Sequence, residues 1–320
     1  MKLAYLFPGQ GAQKIGMGRD IYDCYPAARA VFDEAARVLG DEFLETTFCG
    51  PAGKLQRTEY AQRALITVST ALHRVISQLG FTAEAAAGLS LGEYSALVAA
   101  EALDFNDALP LVQKRGRFMQ EAVPPGRGTM AAVMGLQREK VEQLCAAARA
   151  EGVVSPANFN CPGQLVISGE FPAVERAAAL AKEAGAKRIV RLKVSAPFHC
   201  SLMEPVEPRL ERELALLELS PPSIPVVLNV SAAFESNPEK IKRSLVRQLS
   251  NPVLWEQSMD ALIEAGFDTF VELGPGRVLT GLMKKIDSHV HAFAVEDCAS
   301  LERALHHLHH LKGQPEYVEA

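Results

Sequence analysis

The chain is 320 residues long, with 48% hydrophobic residues, 22% charged residues and a formal net charge of −5, the make-up of an ordinary globular protein with room for about two domains. That balance leaves no electrostatic footprint for nucleic acid. No apolar run approaches the ~18 residues of a membrane helix, and the run 3–7 behind Lys2 is too short for a signal peptide, so a cytoplasmic location without nucleic-acid or membrane partners is expected. Six cysteines stand at positions 24, 49, 145, 161, 200 and 298. None forms a C-x-x-C pair, so neither a metal site nor a redox motif is expected, and free thiols fit a reducing compartment.

Residues 3–7 read as a short buried strand, broken by Pro8-Gly9-Gln10-Gly11. These glycines do not complete a dinucleotide fingerprint, because position 14 is Lys14. Helical spacing follows at 25–39 and 60–79. The apolar residues 85–87 then lead into Gly88-Leu89-Ser90-Leu91-Gly92, a G-x-S-x-G pattern, and a helix-like stretch runs over 91–103. Strand, sharp turn and helix are the context of a nucleophile elbow. The turn lifts the Ser90 hydroxyl into the open and leaves the Leu91 N–H at a helix N-terminus, where it can stabilise a developing oxyanion.

A further helix is expected at 105–122, and Pro124-Pro125-Gly126 breaks it. Beyond this point strands are expected at 129–136, 153–157, 164–168 and 188–194, with helices at 139–151 and 172–184. That order is β-α-β-β-α-β, the ferredoxin-like arrangement, and Pro197 closes it. The last third returns to mixed signals, with strand-like runs at 224–230 and 269–273 and a helix at 278–286. The expected architecture is α/β: a large discontinuous domain, 1–125 and 196–320, carrying a ferredoxin-like small domain, 126–195. The tail alternates Leu305, Leu308 and Leu311 with His306, His307, His309 and His310, which reads as an amphipathic helix with solvated histidines rather than a metal site.

A serine at an elbow needs a base, usually histidine. Of eight histidines, His199 stands out: it follows Ala196-Pro197-Phe198, on a loop at the inferred domain junction, where pockets prefer to lie.

Six ordered motifs resemble those of malonyl-CoA:acyl carrier protein transacylases. They are Leu6 to Gln13 (LFPGQGAQ), Gly88 to Tyr94 (GLSLGEY), Arg115 to Gln120 (RGRFMQ), Asn158 to Gln164 (NFNCPGQ), Gln248 to Val253 (QLSNPV) and Glu272 to Gly281 (ELGPGRVLTG). The resemblance spans nearly the whole chain. It implies a hydrolase-like α/β fold with a ferredoxin-like insert, and a reaction needing no cofactor or metal. A malonyl group would pass from malonyl-CoA to the thiol of acyl carrier protein, for fatty acid biosynthesis. By the same resemblance Ser90 is the nucleophile, His199 its base, and a carbonyl of Gln248 orients the imidazole in place of a carboxylate. Gln10 and Leu91 supply the backbone N–H groups of the oxyanion hole, Arg115 binds the malonyl carboxylate, and Asn160 lines the cleft.

This assignment is chemically coherent. Malonyl differs from acetyl by a carboxylate, which a planar guanidinium grips with two parallel hydrogen bonds. Leu89 departs from the histidine common at its position, but it flanks the nucleophile and is not its base. By resemblance to related acyltransferase domains, Phe198 before the histidine is a mild pointer to malonyl rather than methylmalonyl. A cluster of Lys187, Arg188, Arg191 and Lys193, and a second of Lys284 and Lys285, are candidates for docking an acidic carrier protein. Alternative readings are a transferase for another extender unit such as methylmalonyl, a serine esterase or thioesterase, and a non-catalytic docking subunit.

Overall fold

The computed structural model describes residues 1–124, 126–192, 194 and 196–313. Ten strands form two sheets. The first contains β1 (Leu3–Phe7), β2 (Ala85–Gly88), β7 (Val226–Leu228), β8 (Ala233–Glu235), β9 (Thr269–Leu273) and β10 (His291–Val295), in the order β10-β9-β1-β2-β7-β8. All its pairings are parallel except the β7–β8 edge. The second contains β3 (Gly128–Met134), β4 (Val154–Cys161), β5 (Gln164–Glu170) and β6 (Arg188–Arg191), antiparallel throughout, in the order β4-β5-β3-β6.

A strand with helices on both faces should be apolar at every position, and alternate residues should enter opposite cores. β1 does both. Leu3, Tyr5 and Phe7 join one core cluster, whereas Ala4 and Leu6 join the other. β2 splits in the same way, with Ala86 on one side and Ala85 and Ala87 on the other. Small side chains here leave the helices close to the sheet at the end that carries Gly88.

The second sheet is also buried on two sides. Ala131 and Val133 of β3 pack against Val141, Leu144 and Val174, which belong to the helices Arg138–Ala148 and Phe171–Glu183. Met130 and Ala132 face the other way, into the main core. Strand and helix sequence from β3 to β6 follows the expected β-α-β-β-α-β order, and with the parallel sheet it makes the α/β fold expected from the sequence. Pro125, in the expected boundary, lies outside the described residues.

Several elements differ from expectation. β4 runs to Cys161 rather than 157, through register shifts at Pro156/Asn158 and Phe159/Cys161. It extends because the later chain pairs with it: Phe159 N–H donates to Val253 O (2.9 Å) and Val253 N–H to Ala157 O (2.9 Å). β6 ends at Arg191. The helix after the elbow stops at Ala99, and Glu101 follows with φ 58°. The edge strands β8 and β10 and the helices Glu207–Ala215, Pro238–Arg247 and Trp255–Glu264 lie outside the expected elements, although Asn237 and Pro238 are a cap and first-turn signal for the second of these helices. No described helix is long and apolar enough to cross a membrane.

Candidate active site

The elbow forms because two glycines permit contacts that no side chain could. A Cβ on Gly88 would sit 1.9 Å from the Gly92 backbone, and one on Gly92 would sit 2.0 Å from Phe7 O. Strand β2, the helix Gly92–Ala99 and the end of β1 therefore meet backbone to backbone. Ser90, at the apex, takes φ 54°, a left-handed conformation that a residue other than glycine adopts at a cost of about 1–3 kcal/mol. Its amide donates to Asn229 Oδ1 (2.7 Å), while Asn229 Nδ2 donates to Gly88 O (2.7 Å). One asparagine side chain thus braces both sides of the turn.

His199 approaches from the loop before the 3₁₀ segment Ser201–Val206, also with positive φ (60°). Its amide donates to Leu249 O (3.1 Å). Nε2 lies 2.8 Å from Ser90 Oγ, and Nδ1 lies 2.7 Å from the backbone carbonyl of Gln248. A carbonyl can only accept, so Nδ1 carries the proton and Nε2 presents its lone pair to the serine hydroxyl. The imidazole is buried, and burial first, then the positive charge of Arg115, pushes its pKa down to about 4, with the Gln248 carbonyl opposing. It is therefore neutral at pH 7 and able to receive a proton.

Arg115 projects from the helix Phe105–Ala122 and is 1% exposed. Its Nη1 donates to Gln62 Oε1 (2.9 Å) and its Nη2 to Gln248 Oε1 (2.8 Å), with Ser90 Oγ at 3.4 Å from the same Nη2. The guanidinium carbon lies 5.3 Å from the Tyr94 ring centroid. Nε has no hydrogen-bond partner among the described residues. A buried cation held by neutral amides, without a carboxylate in ion-pair contact among the described residues, suits an anionic ligand that arrives beside the serine.

The structure brings Ser90, His199, Gln248 and Arg115 into one hydrogen-bonded group. Gln248, at the end of the helix Pro238–Arg247, serves through both its backbone and its side chain. Gln10 lies in the turn after β1, and its side chain donates to Thr58 Oγ1 (3.3 Å). Leu91 caps the helix Gly92–Ala99. Neither backbone amide of these two donates to another described residue, and the Leu89 N–H to Phe7 O bond (3.0 Å) ties their two loops together. Asn160, on β4, makes no described contact with this group, and its buried Oδ1 has no described partner. Glu93, Asn229 and Gln62 join the site without being expected there from the sequence. Glu93 lies in the Gly88 to Tyr94 motif, but nothing in the sequence marks its burial. Asn229 stands at the end of β7 with nothing local to mark it, and Gln62 reads as one polar residue in a helix.

Elbow, parallel sheet and imidazole together define the class, an enzyme of acyl transfer. The chain belongs to the acyl transferase domain family, whose pattern matches residues 4–308. It is 47% identical over 305 residues to the malonyl CoA-acyl carrier protein transacylase of Bacillus subtilis, covering 95% of this chain and 96% of that one. Its counterpart in Escherichia coli K12, of the same name, is 48% identical, with 95% and 99% covered. Among solved structures, an acyl carrier protein S-malonyltransferase from Vibrio cholerae superposes with a TM-score of 0.92 at 46% identity, covering 95% of this chain and 100% of that chain. A malonyl-transacylase in complex with its type II polyketide acyl-carrier protein superposes at 0.93 with 45% identity, covering 95% and 99%.

Proposed function

We propose that this chain is a cytoplasmic enzyme that moves the malonyl group of malonyl-CoA onto the phosphopantetheine thiol of acyl carrier protein, through a malonyl ester of Ser90, supplying extender units for fatty acid biosynthesis. The observation that carries the reading is the position of one serine oxygen, 2.8 Å from His199 Nε2 and 3.4 Å from Arg115 Nη2. Base and carboxylate receptor converge on a single nucleophile.

In the first step Ser90 Oγ attacks the thioester carbonyl as its proton passes to His199 Nε2. The Gln10 and Leu91 amides receive the oxyanion, and the carbon–sulfur bond breaks as the leaving thiolate takes the proton from His199. In the second step the carrier-protein thiol gives its proton to His199 and attacks the malonyl-serine ester. The tetrahedral intermediate collapses, and the Ser90 oxygen recovers the proton. Thioester is exchanged for thioester, and ping-pong kinetics follow. Every proton is carried by a protein group or a substrate, so the reaction is written without cofactor or metal. Arg115 supplies selectivity. Malonyl brings the anionic partner the guanidinium lacks, and an acetyl group, without it, gives up about 3–5 kcal/mol, roughly a 10²–10⁴-fold preference for malonyl.

Brief incubation with malonyl-CoA followed by intact-protein mass measurement tests this directly, beside acetyl-CoA, methylmalonyl-CoA and Ser90→Ala. A single malonyl adduct on the native chain, absent from Ser90→Ala and discharged by carrier-protein thiol, is the expected result. No adduct, or equal labelling by acetyl-CoA, overturns the reading. Rapid hydrolysis of p-nitrophenyl esters without a thiol acceptor would replace it with an esterase.

For the carrier protein we place the docking surface at Lys187, Arg188, Lys284 and Lys285. Lys187 and Lys285 line one cavity of about 430 Å³ with Met134, Gly135 and Gln164. Arg191 is less available, since it pairs with Glu175 at 2.6 Å, and Lys193 lies outside the described residues. Charge reversal at Lys187 and Lys285 should raise KM for carrier protein while sparing KM for malonyl-CoA. Unchanged carrier kinetics would rule this surface out.

A further inference from the structure

Behind the Ser90–His199 pair lies a carboxyl group that neither step uses. Glu93 is fully buried in the first turn of the helix Gly92–Ala99. Its Oε2 accepts from the Asn229 backbone N–H (2.8 Å) and from Gln248 Nε2 (3.1 Å). Its Oε1 has no hydrogen-bond partner among the described residues.

Those two bonds decide which way the Gln248 amide points. Nε2 is shared among three acceptors, Ser90 O (3.0 Å), Glu93 Oε2 (3.1 Å) and Asn229 Oδ1 (3.3 Å), while Oε1 faces Arg115 Nη2 (2.8 Å). A flipped amide would set its NH₂ against the guanidinium, donor to donor, and its oxygen against the carboxyl group. In a buried network one wrong partner leaves several groups unsatisfied. Glu93 thus holds in one register the amide that meets Arg115 and the asparagine that braces Ser90.

The same carboxyl group is electrostatically linked to the substrate site. The titratable groups that act on it are Arg115 on the helix Phe105–Ala122 and Tyr94 beside it on its own helix. Burial pushes the Glu93 carboxyl up to about 7, opposed by the bonds from Asn229 and Gln248 and by the charge of Arg115. An acyl carboxylate on Arg115 removes that compensating charge and adds a like one, and a buried carboxyl group answers by binding a proton.

We propose that Glu93 is a positioning residue that fixes the Gln248 amide against Arg115 and shifts toward its protonated form, drawing the proton from solvent onto its free oxygen, when an acyl carboxylate occupies Arg115. The inference rests on the malonyl reading above.

Two measurements test it. In the active chain, Glu93→Ala should lower kcat/KM for malonyl-CoA by on the order of 10²-fold, the scale of a misplaced reacting group. Glu93→Gln, whose carboxamide oxygen can accept the same two N–H bonds, should recover most of that loss. In the Ser90→Ala background, malonyl-CoA binding is followed calorimetrically at pH 7.5 in two buffers of different ionisation enthalpy. Proton uptake is expected with Glu93 and is expected to vanish in Ser90→Ala/Glu93→Gln. Equal proton exchange in both chains, or a folded Glu93→Ala with native kcat/KM, overturns the role of Glu93 alone. No malonyl-CoA binding, together with no adduct on the native chain, removes the malonyl reading and this role with it.

Discussion

Arg115 and His199 make opposite demands on one small volume. The guanidinium must stay charged to hold an anion, and the imidazole 2.8 Å from Ser90 Oγ must stay neutral to accept a proton. The structure meets both: arginine keeps its charge even when buried, and that charge helps hold the imidazole down at about 4. The acid limb of kcat/KM, which reports the free enzyme, should therefore lie near pH 4 rather than near 6.5, and a pH–rate profile with malonyl-CoA checks it. Arg115→Ala should reduce kcat/KM for malonyl-CoA by about 10²–10⁴-fold and leave acetyl-CoA little changed. Arg115→Lys should fall between, since lysine keeps a charge without the fork. An equal loss for both thioesters would show that Arg115 supports the fold rather than the substrate. At this scale motifs mark Ser90 and Gln248, and the loop after Pro197 marks His199. Nothing local marks Glu93 and Asn229: their mutual bond spans 136 positions, and the bond from the Ser90 amide to Asn229 spans 139.

The elbow is an element with no spare volume. Gly92 is the sharper test, because a Cβ there meets Phe7 O at 2.0 Å, a backbone atom at the end of a central strand that cannot move alone. Gly92→Ala should cost several kcal/mol or fail to fold, in the range of severe overpacking with backbone displacement (about 1–3 kcal/mol or more), as measured by urea unfolding. Gly53→Ala, where an added methyl group meets nothing within 4 Å, is the control and should be near neutral. Some elements are legible from local periodicity and punctuation, whereas the helix Pro238–Arg247 is not among the expected elements despite its Asn237 cap and buried Ile241 and Leu245 four apart. The helix Phe105–Ala122, the strand Thr269–Leu273 and the helix Val278–Ile286 lie where expected. β4 was misjudged because its last residues are ordered by pairing with Val253, a long-range bond that no local pattern announces. β8 was missed because Ala233 and Phe234 are exposed on a sheet edge and so lack the burial pattern that marks a strand.

Across the whole molecule, the two buried titratable groups of the site pull stability in opposite directions over the same pH range. Glu93 is raised from 4.5 to about 7, so its contribution is full below 4.5 and is lost as pH rises to 7. His199 is lowered from 6.5 to about 4, so its contribution is full above 6.5 and is lost as pH falls to 4. At ~1.4 kcal/mol per unit each is worth about 3 kcal/mol, so the two nearly cancel between roughly pH 4.5 and 6.5, and the native slope there is left to other buried groups such as His73, also lowered to about 4, and Glu272, raised by burial. Relative to the native chain, Glu93→Gln should make stability climb more steeply with pH in that window, and His199→Gln should make it climb less. Urea titrations at several pH values separate the cases, and a native slope in either variant would contradict the burial seen here.

The strand order β10-β9-β1-β2-β7-β8 also sets a timetable. Leu3 pairs with Thr269, so one side of β1 waits for a partner made more than 260 positions later in synthesis. The second sheet is contiguous from Gly128 to Arg191 and can close while the rest is still emerging. Ser90 is translated well before His199, and His199 before the Gln248 carbonyl that orients it. A half-synthesised chain that ends before Gln248 therefore carries the serine without the carbonyl that orients its base. The same delay leaves an apolar strand edge uncovered during synthesis, a hazard of long-range pairing that makes production of this fold sensitive to chaperone supply and temperature.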